Sequence, residues 1–127
     1  MKWILNEEEP IYIQIARAIE DEILQEGFLE ETQIPSTNEL SRIYQINPAT
    51  VLKGINLLVE RNILYKKRGI GMFISTGAVR VIKETRKESF KQVVIANLLE
   101  EAKKLGISKI DLIEMIEMIE MSEEEVR

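Results

Sequence analysis

Two helix starts stand eleven residues apart near the middle of the chain, and a basic hairpin with two glycines follows them. The first start is Ser36-Thr37-Asn38-Glu39. In this Ser-x-x-Glu capping box each end satisfies a backbone N–H of the other. The second is Asn47-Pro48, a good cap followed by a proline whose missing N–H costs nothing at the first helical position. Only two short helices joined by a tight turn fit that spacing. Beyond them Ile63–Lys67 reads as a strand and Met72–Ser75 as its partner. Between the strands Arg68-Gly69-Ile70-Gly71 supplies two glycines able to take positive φ.

The flanks complete the frame. Pro10 opens a helix in which Ile11, Ile15, Ala16, Ile19 and Ile23 recur on one face, with a stop near Gly27. Gln33-Ile34 is a very short strand that Pro35 breaks. Leu40, Ile43 and Tyr44 form the apolar face of the next helix, and Gln45-Ile46 is the turn. The helix after it runs to about Arg61, buries Val51, Ile55, Leu58 and Val59, and stops at Asn62. Gly77 closes a first domain, residues 1–77. The order helix, helix, helix, hairpin predicts a mainly α fold with a small β-hairpin, a winged helix-turn-helix.

Residues 78–127 predict a short two-helix tail. Ile82, Phe90, Val93, Val94, Ala96, Leu98, Leu99, Ala102 and Leu105 scatter around a long helix that Gly106 ends. Ser108 with Asp111 caps a last helix carrying the repeat Ile113-Glu114-Met115, Ile116-Glu117-Met118, Ile119-Glu120-Met121. Acids spaced by three drift by about 60° per step and leave a broad apolar face. Two helices make a poor independent core. The tail therefore reads as a dimerisation domain, with Leu98, Leu105, Ile113, Ile116 and Ile119 at the interface between two copies. Folding back on the first domain of the same chain is the alternative.

Net charge is −5, but the charge is segregated. Residues 1–39 sum to −8, residues 40–80 to +6 and residues 81–127 to −3. The positive block coincides with the paired helix starts and the hairpin, and a local basic patch attracts phosphate whatever the total. The chain lacks cysteine and histidine, which removes disulfides and makes a zinc site or a nucleophile–base pair a poor reading. Paired acids in a pocket-like context are missing, so an enzyme is not expected, nor is a cofactor. No apolar run is long enough to span a bilayer, and the opening Met1–Glu9 turns acidic too soon for a signal peptide. A cytoplasmic location and no membrane partner are the expectation.

A winged helix-turn-helix reads duplex DNA with the start of its second helix. Here that start offers Asn47, Ala49, Thr50 and Lys53. Thr50 suits a phosphate or a base edge, Ala49 a thymine methyl, and Lys53 a phosphate or a guanine. Ser36, Thr37 and Asn38 open the preceding helix, whose free N–H groups can hold a phosphate. Lys67, Arg68 and Gly69 at the hairpin tip suit the minor groove or the backbone. Each has a duller alternative: Ser36 and Asn47 as caps, Thr50 as surface cover, Gly69 and Gly71 as turn residues, Lys66 as a solvent or phosphate-range charge. A protein-interaction module is the alternative function, since the fold also binds proteins. An unidentified small-molecule effector against the Met-rich last helix stays open beside plain core packing.

From Pro10 to Ile74 the chain resembles the GntR family of bacterial transcription regulators. Ile34-Pro35-Ser36, Glu39-Leu40, Thr50-Val51, Leu58 and Gly69-x-Gly71-x-Phe73-Ile74 carry the resemblance. Asn47-Pro48-x-Thr50-Val51 and Pro10-Ile11-Tyr12-x-Gln14-Ile15 look like the YtrA subfamily. The resemblance implies a homodimer on a palindromic operator, most often a repressor, frequently of genes for ABC-type transporters and envelope stress. Asn38 and Leu52 depart from it, standing where the family often has Arg, and Arg or Gln. They put the usual operator sequence in doubt and imply weaker or more A·T-directed reading.

Overall fold

The computed structural model describes residues 5–126. Met1–Ile4, part of the acidic opening, lie outside the described residues. The elements run α1 (Ile11–Leu24), α2 (Thr37–Tyr44), α3 (Pro48–Glu60), β1 (Leu64–Lys67), β2 (Gly71–Ile74), α4 (Ala78–Ser89), a π-helical turn (Phe90–Ile95), α5 (Ala96–Lys104) and α6 (Lys109–Val126). They divide into two compact units, Met1–Thr85 and Arg86–Arg127.

In the first unit α1 and α2 pack on α3. Ile15, Ala16, Ile19 and Ile23 of α1 meet Leu40, Val51, Ile55 and Leu58 in one core. Ile63, Leu64 and Ile74 extend it under the hairpin. Gly54 lets α1 and α3 close: a Cβ there would sit 2.8 Å from the Tyr12 carbonyl oxygen and 3.0 Å from Ile15 Cγ2. Gln14 is buried and bonded, its amide nitrogen donating to the Asn6 and Glu9 carbonyls at 2.8 and 2.9 Å, and its oxygen accepting from the Asn6 N–H at 2.8 Å. It ties the segment before α1 to the helix.

The hairpin is antiparallel, with Leu64 opposite Ile74, Tyr65 opposite Phe73, Lys66 opposite Met72 and Lys67 opposite Gly71. The expected short strand at Gln33-Ile34 pairs along β2: Gln33 bridges Phe73, and the Ile34 N–H donates to the Met72 carbonyl at 3.0 Å.

Several local expectations change. Gly27 is not the left-handed residue after α1; Glu26 takes that role with φ 63°. Ile43 is 59% exposed, while Leu40 and Tyr44 are the apolar side chains of α2 that reach the core. The core does not end at Gly77: Ala78 and Ile82 of α4 are buried in it, and the first unit runs on to Thr85. Glu30 holds the start of α4, its carboxylate accepting from the Gly77 and Val79 N–H groups at 2.7 and 3.1 Å. These backbone bonds favour the ionised form and lower its pKa below the ordinary carboxylate value.

In the second unit the expected long helix is interrupted by the π-helical turn, which re-phases a helical stripe by about one residue. Gly106, at φ 69°, ends α5, with the Ile107 N–H returning to the Ala102 carbonyl at 2.8 Å. Ser108 Oγ accepts from the Asp111 N–H at 3.1 Å and caps α6. Ala102 is the one apolar residue buried among the described residues of this unit.

Candidate nucleic-acid interface

Both helix starts form as their residues dictate. Ser36 Oγ accepts from the Glu39 N–H at 3.1 Å, and Glu39 Oε1 accepts from the Ser36 N–H at 3.3 Å. Asn47 Oδ1 accepts from the Ala49 N–H at 2.8 Å. Both side chains are therefore engaged as caps while lying exposed. Thr37 is half-buried and Asn38 exposed beside Ser36.

On α3 the exposed side carries Ala49, Leu52, Lys53, Asn56 and Glu60, positions that a helical period places together. Thr50 is half-buried on its flank. Leu52 is 47% exposed, an apolar side chain on this exposed side of α3. The Lys53 ammonium does not stand free in solvent. It lies 4.1 Å from the centre of the Tyr12 ring on α1, a cation–π contact that sequence order hides. Tyr12, Ala49, Leu52, Lys53, Asn56, Leu57 and Glu60 line one shallow cleft here.

In the wing three consecutive cations separate by strand alternation. Lys67 lies on the outer face, its ammonium 4.1 Å from the Phe73 ring centre and 5.9 Å from that of Tyr65. On the same face Tyr65 donates to Glu31 Oε2 at 2.8 Å, and Thr76 donates to the other Glu31 oxygen. The Thr76 and Tyr65 hydroxyls lower the Glu31 pKa, and the bond to Glu31 raises that of Tyr65. Arg68 and Gly69 form the exposed tip, with Gly69 at φ 79° and the Ile70 N–H bonded to the Lys67 carbonyl at 2.9 Å. Gln33 steadies the tip, its amide donating to the Ile70 carbonyl at 2.9 Å.

Lys66 is on the other face. With Ser36, Thr37, Asn38, Leu52, Asn56 and Met72 it lines a groove of about 390 Å³ between α2, α3 and the hairpin. The structure thus brings Ser36, Thr37 and Asn38 to one groove and Ala49 and Lys53 to the adjoining cleft, and sets Lys67, Arg68 and Gly69 apart on the wing. Sequence reasoning missed Asn56 and gave Lys66 a minor place. Period-2 alternation from the half-buried Tyr65 was the signal that assigns Lys66 and Lys67 to opposite faces.

Comparison with known proteins places the fold. The pattern of the bacterial regulatory proteins of the gntR family matches residues 11–74. The HTH-type transcriptional regulator YhcF of Bacillus subtilis is 28% identical over 105 residues, 83% of this chain and 85% of the relative. The HTH-type transcriptional repressor YtrA of the same organism is 33% identical over 90 residues, 68% and 69% of the two chains. A GntR-family regulator from Bacteroides thetaiotaomicron superposes with a TM-score of 0.75 at 34% identity, covering 89% of this chain and 98% of that one. The DNA-binding domain of AraR in complex with operator ORX1 superposes with a TM-score of 0.54 at 28% identity, covering 59% and 96%. Among the described residues no helix is long and apolar enough to cross a membrane. The chain belongs to the GntR family of bacterial transcription regulators, carrying its winged-helix DNA-binding domain, and the similarity to YtrA supports the YtrA subfamily within it.

Proposed function

We propose that the chain acts as a homodimeric repressor in the cytoplasm, each copy placing α3 in one half of a palindromic operator. The α3 start, with Ala49, Thr50 and Lys53, enters the major groove. The capped start of α2, with Ser36, Thr37 and Asn38, meets the backbone, and Arg68 and Gly69 of the wing reach the adjacent minor groove. Asn47 shapes the reading helix and lies at its DNA-facing end. Lys67 serves the wing from its outer face. The repressor sense follows the description of YtrA as a repressor, and a transporter operon is the target class that the subfamily resemblance implies.

One observation carries the dimer: the second unit leaves nearly all of its apolar side chains exposed. Leu98 is 38% exposed, Leu105 71%, Ile113 44%, Ile116 46% and Ile119 61%, with Val93, Val94, Leu99 and Met115 exposed as well. Apolar surface exposed on this scale marks an association site, and an identical copy would cover it isologously. A two-fold dimer reads two half-sites a helical turn or so apart, which is why the operator is palindromic.

The test is titration of the purified protein onto DNA from its own upstream region, at two salt concentrations, beside an unrelated duplex. Tight, salt-sensitive and sequence-selective binding by a dimer is expected. Equal, weak binding to both duplexes would overturn the repressor reading and favour a winged helix that holds another protein.

A further inference from the structure

The groove between α2, α3 and the inner face of the hairpin has three properties that the proposed contacts leave unused. Its lining holds one charged side chain, Lys66, and no carboxylate. Among the described residues no acidic group pairs with Lys66, whereas Lys53 and Lys67 lie over aromatic rings. Across the groove Asn56 projects from the exposed side of α3, one turn beyond Leu52, and among the described residues its amide makes no hydrogen bond. Asn is a weaker helix former than the long or small residues that suit an exposed mid-helix site, so its own helix gains nothing from it. Leu52, between Asn56 and the helix start, makes that part of the groove wall apolar.

From this juxtaposition we propose that Lys66 and Asn56 are DNA contacts. Lys66 clasps a backbone phosphate from the inner face of the wing. Asn56 pairs its amide with the N6 and N7 edge of an adenine in the major groove, next to a thymine methyl packed on Leu52. The duplex thus engages both faces of the first wing strand, and the half-site carries an A·T pair deeper along α3 than the helix start alone reads. A cation without an acidic partner among the described residues, facing a free amide across one groove, matches what duplex DNA presents, a phosphate and a base edge.

The assignment rests on the DNA-binding reading above, and the experiment separates the two. Wild-type full-length protein selects duplexes from a randomised library; the recovered consensus is then titrated with the wild type, Asn56→Ala and Lys66→Ala across a salt series. N56A is expected to bind the consensus about 5- to 150-fold more weakly and to accept any base at one A·T position. K66A is expected to weaken binding evenly across sequences and to reduce the salt slope by about 1. Both sites are exposed, and unchanged circular dichroism and melting temperature confirm intact folding. A wild type that selects no consensus overturns both readings. If the wild type selects one, N56A with unaltered base preference overturns the role of Asn56, and K66A with an unaltered salt slope overturns that of Lys66.

Discussion

Single residues decide how closely the reading helix is held and what it can touch. Gly54 is mid-helix, where alanine would ordinarily be better by about 1 kcal/mol. The sign reverses here because a Cβ would press on the backbone oxygen of Tyr12, which cannot rotate away. Gly54→Ala is expected to destabilise the protein by about 1–3 kcal/mol, the usual range for overpacking, seen as a lower midpoint in urea; an unchanged or raised midpoint would rule out the close approach. The contacts offered to DNA are equally local. Arg68→Ala and Lys53→Ala should each weaken operator binding by about 1–3 kcal/mol if the side chain reads a base, and by less if it touches only phosphate. Unchanged affinity in both variants would sink the docking geometry. Lys53 also loses its contact with Tyr12, so K53A is expected to show a small stability change that R68A does not.

At the scale of elements the question is what fixes the start of α4. Glu30 bonds its first N–H groups, and Glu31 ties Thr76 and Tyr65 together just before it. Both carboxylates have pKa values lowered by those bonds. A lowered folded-state pKa stabilises the fold fully above the unfolded value, and the contribution fades as pH falls through the folded one. The double variant Glu30→Gln, Glu31→Gln should therefore melt earlier than wild type at neutral pH. The gap should begin to narrow as pH falls below about 4.3, the ordinary glutamate value, and close only once pH has fallen through the lowered folded-state values. A gap that persists undiminished into acid would show that these carboxylates are not the anchor.

For the whole molecule the decisive feature is the second unit, in which α5 and α6 expose apolar side chains. Ile116→Glu is expected to give a monomer in sedimentation, with the winged unit still folded and operator affinity lost. A variant that still sediments as a dimer would place the interface elsewhere. On the proposed dimer, affinity falls because each winged unit then binds alone, without the raised effective concentration that linkage to a partner supplies.

The paired helix starts were legible in the sequence because caps are short-range. Ser36 with Glu39, Asn47 with Pro48, and the glycines of the turn act within a few residues of themselves. The core periodicity of α1 and α3 was legible for the same reason: burial on one side of a regular helix leaves a repeating trace. The tertiary structure alone decided that Glu30 bonds Val79, forty-nine positions away, that Tyr12 receives Lys53, and that Gly54 permits the approach of two helices. It also decided that Ile43 stays exposed although it carries an apolar side chain, and that α4 contributes to the first core. These depend on which surfaces meet after the chain has turned back on itself. No spacing along the sequence records such a meeting, because it is set by packing between elements and not by the conformation of any one of them.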